Sequence, residues 1–160
     1  YFGNDYKEAF IALRLSRPLL GQRVYDLLSV VERLRKNEAT ANRKLHVIGV
    51  GSAGPIVLHA AALDPRIDSV TIEDSLISWA AVTRTPINYN QLTNVVHGVL
   101  KKYDLPDLTR CIAPRMLTVR GSVDPRGEPV AQTALDEAYA AGQAYYAGQK
   151  ASDRLRLQAK

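Results

Sequence analysis

The order of apolar and polar positions along the chain alternates between helical and strand-like spacing. A helix over 20–36 is predicted by apolar residues at steps of three and four, namely Val24, Leu27, Leu28, Val31 and Leu34. The run at 45–50 is almost continuously apolar, which is typical of a strand buried on both faces. Shorter apolar runs predict three further strands, at 69–72, 116–119 and 154–157.

Helical segments separate these predicted strands. An apolar helix follows the first strand and ends before Asp64-Pro65, and an alanine-rich helix is predicted over 130–148. Helical spacing also occurs between the second and third strands, at Leu92, Val95, Val96, Val99 and Leu100. Strands that alternate with helices indicate an α/β fold, a parallel sheet with helices on both faces. We expect one domain over 1–160, in which 1–17 is a lead-in segment that forms either a short helix or irregular chain.

Composition narrows the class of protein. The 160 residues are 46% hydrophobic and 23% charged, which excludes wholesale disorder. No apolar run approaches the roughly 18 residues of a membrane span, and the one cysteine cannot form an intrachain disulfide. The net charge is +5, but the basic stretch within 33–44 lacks interleaved aromatic residues. It is interpreted as a solvated face, so no nucleic-acid partner is predicted.

The sequence GVGSAG at 49–54 lies where the first strand meets a helix, and three interpretations compete. The first is a dinucleotide-binding fingerprint built on Gly49, Gly51 and Gly54. In that interpretation Glu73 or Asp74, about 20 residues further along the chain, would bind a ribose hydroxyl of the nucleotide. The second is a nucleophile elbow, a sharp strand-to-helix turn that exposes a serine. The third is a close-packed turn without chemistry.

The elbow can be placed in two registers. Ser52 serves as the nucleophile if Gly51 and Gly54 flank it, but Val50 then stands where a tight turn needs a small residue. In the other register Gly49 and Ala53 are the small flanking residues. The nucleophile position then falls on Gly51, which has no side chain.

A succession of further segments resembles the C-terminal half of an α/β-hydrolase. The chain is most similar to the acetyl-xylan-esterase-like and dipeptidyl-peptidase-like members of that family, over about 17–160. The resemblance rests on the order of the segments at 17–26, 45–55, 60–67, 105–108 and 113–125.

The resemblance implies specific roles for three residues. In the family a serine is followed by an acid and then by a histidine. Ser52 would be the nucleophile, the Ala53 N–H an oxyanion donor and Asp124 the orienting acid. A variant of the family would instead use Glu73 or Asp74. The implied ancestral activity is ester hydrolysis, on acetyl xylan or another carboxyl ester, and a periplasmic or secreted location is compatible with it.

The histidines do not fit the family order. His46, His59 and His97 all precede Asp124, and a serine without a base is a poor nucleophile at neutral pH. The lack of a histidine after Asp124 and the misfit of both elbow registers together favour a catalytically silent, structural chain. No cofactor and no dedicated metal site are predicted. Because a complete hydrolase core needs more than four strands, the expected partner is the remainder of that core or another chain.

Overall fold

The computed structural model describes residues 6–160 and shows four strands and six helices in that part of the chain. The strands are β1 (His46–Val50), β2 (Ser69–Glu73), β3 (Met116–Arg120) and β4 (Leu155–Gln158). The helices are α1 (Tyr6–Arg14), α2 (Leu19–Lys36), α3 (Gly54–Leu63), α4 (Trp79–Arg84), α5 (Thr109–Ile112) and α6 (Gln132–Gly148). The short 3₁₀ segments are Gly51–Ala53, Leu92–Asn94, Val99–Lys101, Leu105–Leu108 and Ser152–Arg154.

The four strands form one parallel sheet in the order β1-β2-β3-β4. In its register Gly49 pairs with Ile72, Ile72 with Val119, and Val119 with Leu157. Consecutive strands are neighbours, and helical chain connects each pair. The predicted α/β fold is therefore confirmed, as a four-stranded parallel sheet with helices.

The two faces of the sheet differ in burial. Helices α3, α5 and α6 pack against these strands. The side chains of one alternating set along the strands are apolar and buried or half-buried: Val47, Val70, Ile72, Leu117, Val119, Leu155 and Leu157. Right-handed crossovers that all step in one direction place their helices on one face. The other set contains polar side chains such as Thr71 and Arg120, together with the exposed Ile48 and Val50.

This arrangement differs from the expectation in one respect. β1 was expected to be buried on both faces, and that prediction is wrong. It is an edge strand, with Ile48 53% and Val50 56% exposed. The apolar run alone cannot distinguish a central strand from an edge strand that a partner covers.

Most predicted elements lie where the spacing placed them. The helix predicted over 20–36 is α2, that over 130–148 is α6, and all four strands are present. The predicted helix through Leu92 and Leu100 is wrong, because that stretch contains two short 3₁₀ segments. Val95 is extended and Gly98 is left-handed (φ +70°), and both conformations interrupt a helix.

Candidate functional site

The turn after β1 is a sharp corner made by one left-handed residue. Gly51 has φ +58°, a conformation that disfavours residues with a Cβ atom. The chain then passes through the 3₁₀ segment Gly51–Ala53 into α3, and the Gly54 N–H donates to the Gly51 carbonyl. Pro55 occupies the first turn of α3, where a missing N–H is tolerated. Among residues 49–54, the left-handed position is therefore 51 and not 52.

The neighbours of the corner determine which positions must be small. A Cβ atom on Gly49 would lie 2.9 Å from both the Ala53 carbonyl oxygen and Val57 Cγ2. A Cβ atom on Gly54 would lie 2.0 Å from Ser75 Oγ, whereas one on Gly51 would meet nothing within 4 Å. The crowded positions are thus 49 and 54, and the open, outward position is 51. The crowded Gly49 and the left-handed Gly51 agree with the register whose nucleophile position is Gly51, whereas the crowded Gly54 is a flanking residue of the Ser52 register.

Ser52 stands immediately beside the open position. Its side chain is exposed, and within residues 6–160 no group hydrogen-bonds to its hydroxyl. The Ser52 carbonyl accepts a 3.1 Å hydrogen bond from Asn94 Nδ2. Ala53, whose N–H is the expected oxyanion donor, is the last residue of the 3₁₀ segment. A serine hydroxyl becomes a good nucleophile at neutral pH only when a general base is positioned to take its proton.

Asp124 lies in the loop after β3, at the same edge of the sheet as the corner. Its Oδ1 atom accepts the main-chain N–H groups of Arg126 at 2.8 Å and Glu128 at 2.9 Å. Ser52 and Asp124 both line a cavity of about 200 Å³, so the structure brings these two predicted site residues together. The two main-chain hydrogen bonds also give Asp124 a role in shaping its own loop.

The two consecutive acids at the end of β2, Glu73 and Asp74, have different surroundings. Glu73 forms an ion pair with Arg120 on the more polar face of the sheet. Asp74 is left-handed (φ +48°), forms a 3.0 Å ion pair with Lys160 and lines the same cavity as Ser52. Asp74, rather than Glu73, is therefore the acid of this pair that reaches the cavity.

The three histidines lie outside that cavity. His46 is exposed and interacts with Ser69 at 2.6 Å and Thr71 at 3.1 Å. His97 is exposed in a turn. His59 is buried in α3, one turn after the corner. None of them lines the cavity that holds Ser52 and Asp124.

The contacts of His59 define a structural role. Its Nδ1–H donates to the Pro55 carbonyl at 2.6 Å, and its Nε2 accepts from the Tyr103 hydroxyl at 2.8 Å. The ring also packs against Trp79, with centroids 5.5 Å apart. Burial lowers the pKa of His59, because the charged form loses its hydration, although the Pro55 hydrogen bond partly opposes this.

One cavity residue had no signal in the sequence. Asn94 is 2% exposed, and its Oδ1 atom has no hydrogen-bond partner in the part of the chain that the structure describes. It stands in a segment whose apolar spacing suggested a helix, so no motif marked it. Only the tertiary fold places it against Ser52 and in the cavity lining.

No group of three or more His, Cys, Asp or Glu side chains within residues 6–160 is placed to hold a metal ion. None of the helices in the same range is long and apolar enough to cross a bilayer.

Comparison with known proteins identifies the fold alone. No family model and no curated protein matches the sequence. Among solved structures, the chain is similar to a proposed acetyl xylan esterase of Bacteroides fragilis, with a TM-score of 0.69 and 14% sequence identity. The match covers 87% of this chain but 36% of that protein, so the chain spans about a third of its neighbour. It supports an esterase-like α/β fold.

Proposed function

We propose that this chain is part of an α/β-hydrolase-like core of carboxyl-esterase ancestry in which the nucleophile corner persists without an activated nucleophile. The observation that carries the proposal is the left-handed Gly51, with crowded Gly49 on one side and open space where a nucleophile would project. Ser52 lies one residue beyond that position. Its hydroxyl has no base among the histidines of the described residues, which supports a silent site.

The acetyl-xylan-esterase likeness supports a carbohydrate ester as the ancestral substrate. If the site is active after all, Ser52 is the proposed nucleophile, Ala53 the oxyanion donor and Asp124 the acid. Their location at one edge of the sheet supports that assignment. The histidine would then come from a segment beyond the described residues or from another chain. The chain leaves β4 at this edge of the sheet, where Lys160 forms an ion pair with Asp74.

Labelling with a fluorophosphonate tests the silent site. The wild-type chain is expected to label no more than Ser52→Ala, because no group activates the hydroxyl. Hydrolysis of a small acetyl ester is expected to equal the buffer rate in both proteins. Labelling that disappears in Ser52→Ala, but persists in the matched variant Ser75→Ala, would contradict the proposal and establish Ser52 as a nucleophile.

Dinucleotide binding is the alternative function, and it has weaker support. The acid at the end of β2 that would hold a ribose is Glu73 in the literal spacing, and that carboxylate is engaged by Arg120. A thermal-shift titration with NAD distinguishes the two functions. We expect no stabilisation, whereas a concentration-dependent increase in melting temperature would favour the nucleotide site.

The proposed partner is the remaining set of hydrolase strands, docked on the outer edge of β1. Within residues 6–160 no strand pairs with that edge, and Ile48 and Val50 are more than half exposed beside it. An unpaired, apolar strand edge is prone to association with other chains.

Sedimentation of the free chain tests the role of this edge. The wild type is expected to self-associate into mixed oligomers, and Ile48→Lys is expected to shift it toward monomer. Leu63→Lys is the control, because Leu63 is 67% exposed but lies at the end of α3. A wild-type monomer would contradict the proposal. A discrete dimer that Ile48→Lys dissociates would instead identify a second copy as the occupant.

A further inference from the structure

A serine and a histidine are paired at the end of the sheet opposite the corner. His46 begins β1, Ser69 begins β2, and the two residues are partners in the register of these strands. Thr71 lies two residues after Ser69, and alternate residues of a strand project from the same face. All three side chains therefore share the more polar face of the sheet, where His46 is exposed and Ser69 is half-buried.

The ring of His46 is held at both of its nitrogen atoms. Nδ1 lies 2.6 Å from Ser69 Oγ, and Nε2 lies 3.1 Å from Thr71 Oγ1. Hydrogen bonds donated by O–H groups are shorter than those donated by N–H groups. The two lengths therefore agree with a Ser69 hydroxyl that donates to Nδ1 and an Nε2–H that donates to Thr71. In this tautomer the unprotonated ring nitrogen faces the serine proton.

This arrangement supplies what Ser52 lacks. A serine becomes a good nucleophile when a base within hydrogen-bond reach takes its proton and a third group orients that base. Ser69, His46 and Thr71 are placed for these three roles. Ser52 cannot share the base, because His46 lies at the other end of β1. His46 is four residues before Val50, which is about 13 Å along the strand at roughly 3.3 Å per residue.

We propose that Ser69 is an acylation site at which His46 is the general base and Thr71 positions the ring. A lone pair of Ser69 Oγ bonds to the carbonyl carbon of an activated ester, and the hydroxyl proton passes to His46 Nδ1. The bond from that carbon to the leaving oxygen breaks. The leaving oxygen keeps the electron pair and takes the proton from His46. The products are an ester of Ser69 and a free alcohol or phenol.

The site is limited to activated esters and to one acyl group per chain. The Ser69 N–H donates to the Leu45 carbonyl at 3.3 Å, so it is not free to stabilise the oxyanion of the reaction. Without that stabilisation an unactivated ester reacts slowly. The ester formed on Ser69 is itself unactivated, so it persists. The inference goes beyond the proposed function, because it does not use Ser52.

Acetylation by p-nitrophenyl acetate, an activated aryl ester, tests the site. Peptide mapping by mass spectrometry after brief exposure gives the rate at each serine. We expect Ser69 to react about tenfold faster or more than Ser152, whose exposed hydroxyl has no hydrogen-bond partner within residues 6–160. This comparison lies within the wild-type chain and needs no variant to fold. The acetyl group on Ser69 is expected to remain after the reagent is removed.

Substitutions at His46 and Thr71 test the two supporting roles. His46→Gln removes the base and is expected to lower the rate at Ser69 to that at Ser152. His97→Gln is the matched control, since His97 is exposed and lies outside the pair, and it is expected to react like the wild type. Thr71→Val removes the hydroxyl that orients the ring and is expected to lower the rate several-fold, whereas Thr71→Ser retains the hydroxyl and the rate.

The inference is overturned if Ser69 reacts no faster than Ser152 in the wild type, or if His46→Gln leaves the rate at Ser69 unchanged. It is also overturned if His97→Gln lowers that rate as much as His46→Gln does. An unchanged rate in Thr71→Val would overturn the positioning role of Thr71. Rapid acetylation of Ser52, which the same mapping resolves, would contradict the proposed silent site alone, so the failures of the two proposals are distinguishable.

Discussion

The turns that follow β1 and β3 lie at the same edge of the sheet, but different forces hold them. The corner after β1 is held by packing, because Gly49 and Gly54 lie too close to neighbouring atoms to carry a side chain. The loop after β3 is held by hydrogen bonds, because two main-chain N–H groups converge on Asp124 Oδ1. Each turn therefore has a structural reason for its residues. The comparison teaches that two neighbouring turns at one sheet edge can be fixed by different forces, close packing in one and hydrogen bonding in the other.

The sharpest test of the packed corner is Gly54→Ala. The added Cβ atom would lie 2.6 Å from Ser75 Cβ and 2.8 Å from Ile72 Cγ2, so α3 must move away from β2. We expect the free energy of unfolding to fall by roughly 3 kcal/mol in urea denaturation. Gly148→Ala is the control, because no atom lies within 4 Å of its added Cβ. If both variants are equally stable, packing does not fix the corner.

His59 provides the second test, because it supports the first turn of α3 behind the corner. His59→Phe loses the hydrogen bond to the Pro55 carbonyl and leaves the Tyr103 hydroxyl without its acceptor. We expect a loss of about 2 kcal/mol in the free energy of unfolding at pH 7.5. Urea denaturation measures it, with His97→Phe as an exposed control. A loss no greater than the control's would contradict the supporting role.

The same residue predicts a direction of pH dependence. Burial lowers the pKa of His59, so the unfolded chain binds its proton more readily than the folded chain does. This contribution to stability is complete above the unfolded pKa of about 6.5. It is lost as the pH falls from there toward the lower folded value. Urea midpoints measured from pH 8 to pH 5 should therefore decline more steeply for the wild type than for His59→Phe.

Gly51→Ala tests the open position of the corner. No atom obstructs the added methyl group, so its cost comes only from the left-handed backbone. We expect a loss of about 1 kcal/mol in the free energy of unfolding, with a smaller loss for Gly51→Asn, since asparagine tolerates this conformation. The measurement is again urea denaturation. If the alanine variant matches Gly54→Ala, position 51 is crowded and the assigned register is wrong.

Much of the fold could be predicted because local spacing determines it. The helical spacing of α2 and the apolar runs of the four strands marked elements that the structure confirms. The helix predicted through 92–101 is wrong because local spacing does not determine the backbone there. Its apolar residues have helical spacing, but Gly98 adopts a left-handed backbone that spacing does not report. The edge position of β1 was not predicted, because an apolar run does not indicate whether a second strand pairs with each side of it.

The candidate site could be predicted only in part. The corner at 49–54 was marked by its small residues, but the choice between registers depends on a backbone angle and on close contacts that no spacing encodes. Asp124 was placed by its position after β3, and it does share a cavity with Ser52. Asn94 carried no signal, because its importance arises from its burial against a segment 42 residues away.

The smallest predicted effect concerns the loop after β3. In Asp124→Asn the side-chain oxygen still accepts the N–H groups of Arg126 and Glu128, so stability should change by less than about 0.5 kcal/mol. Asp124→Ala removes the acceptor and should cost about 1–2 kcal/mol. Urea denaturation of the two variants separates the hydrogen bonds from the charge. An asparagine variant as unstable as the alanine variant would show that the negative charge itself matters. Asp124 would then differ from the packed corner in contributing to stability through its charge.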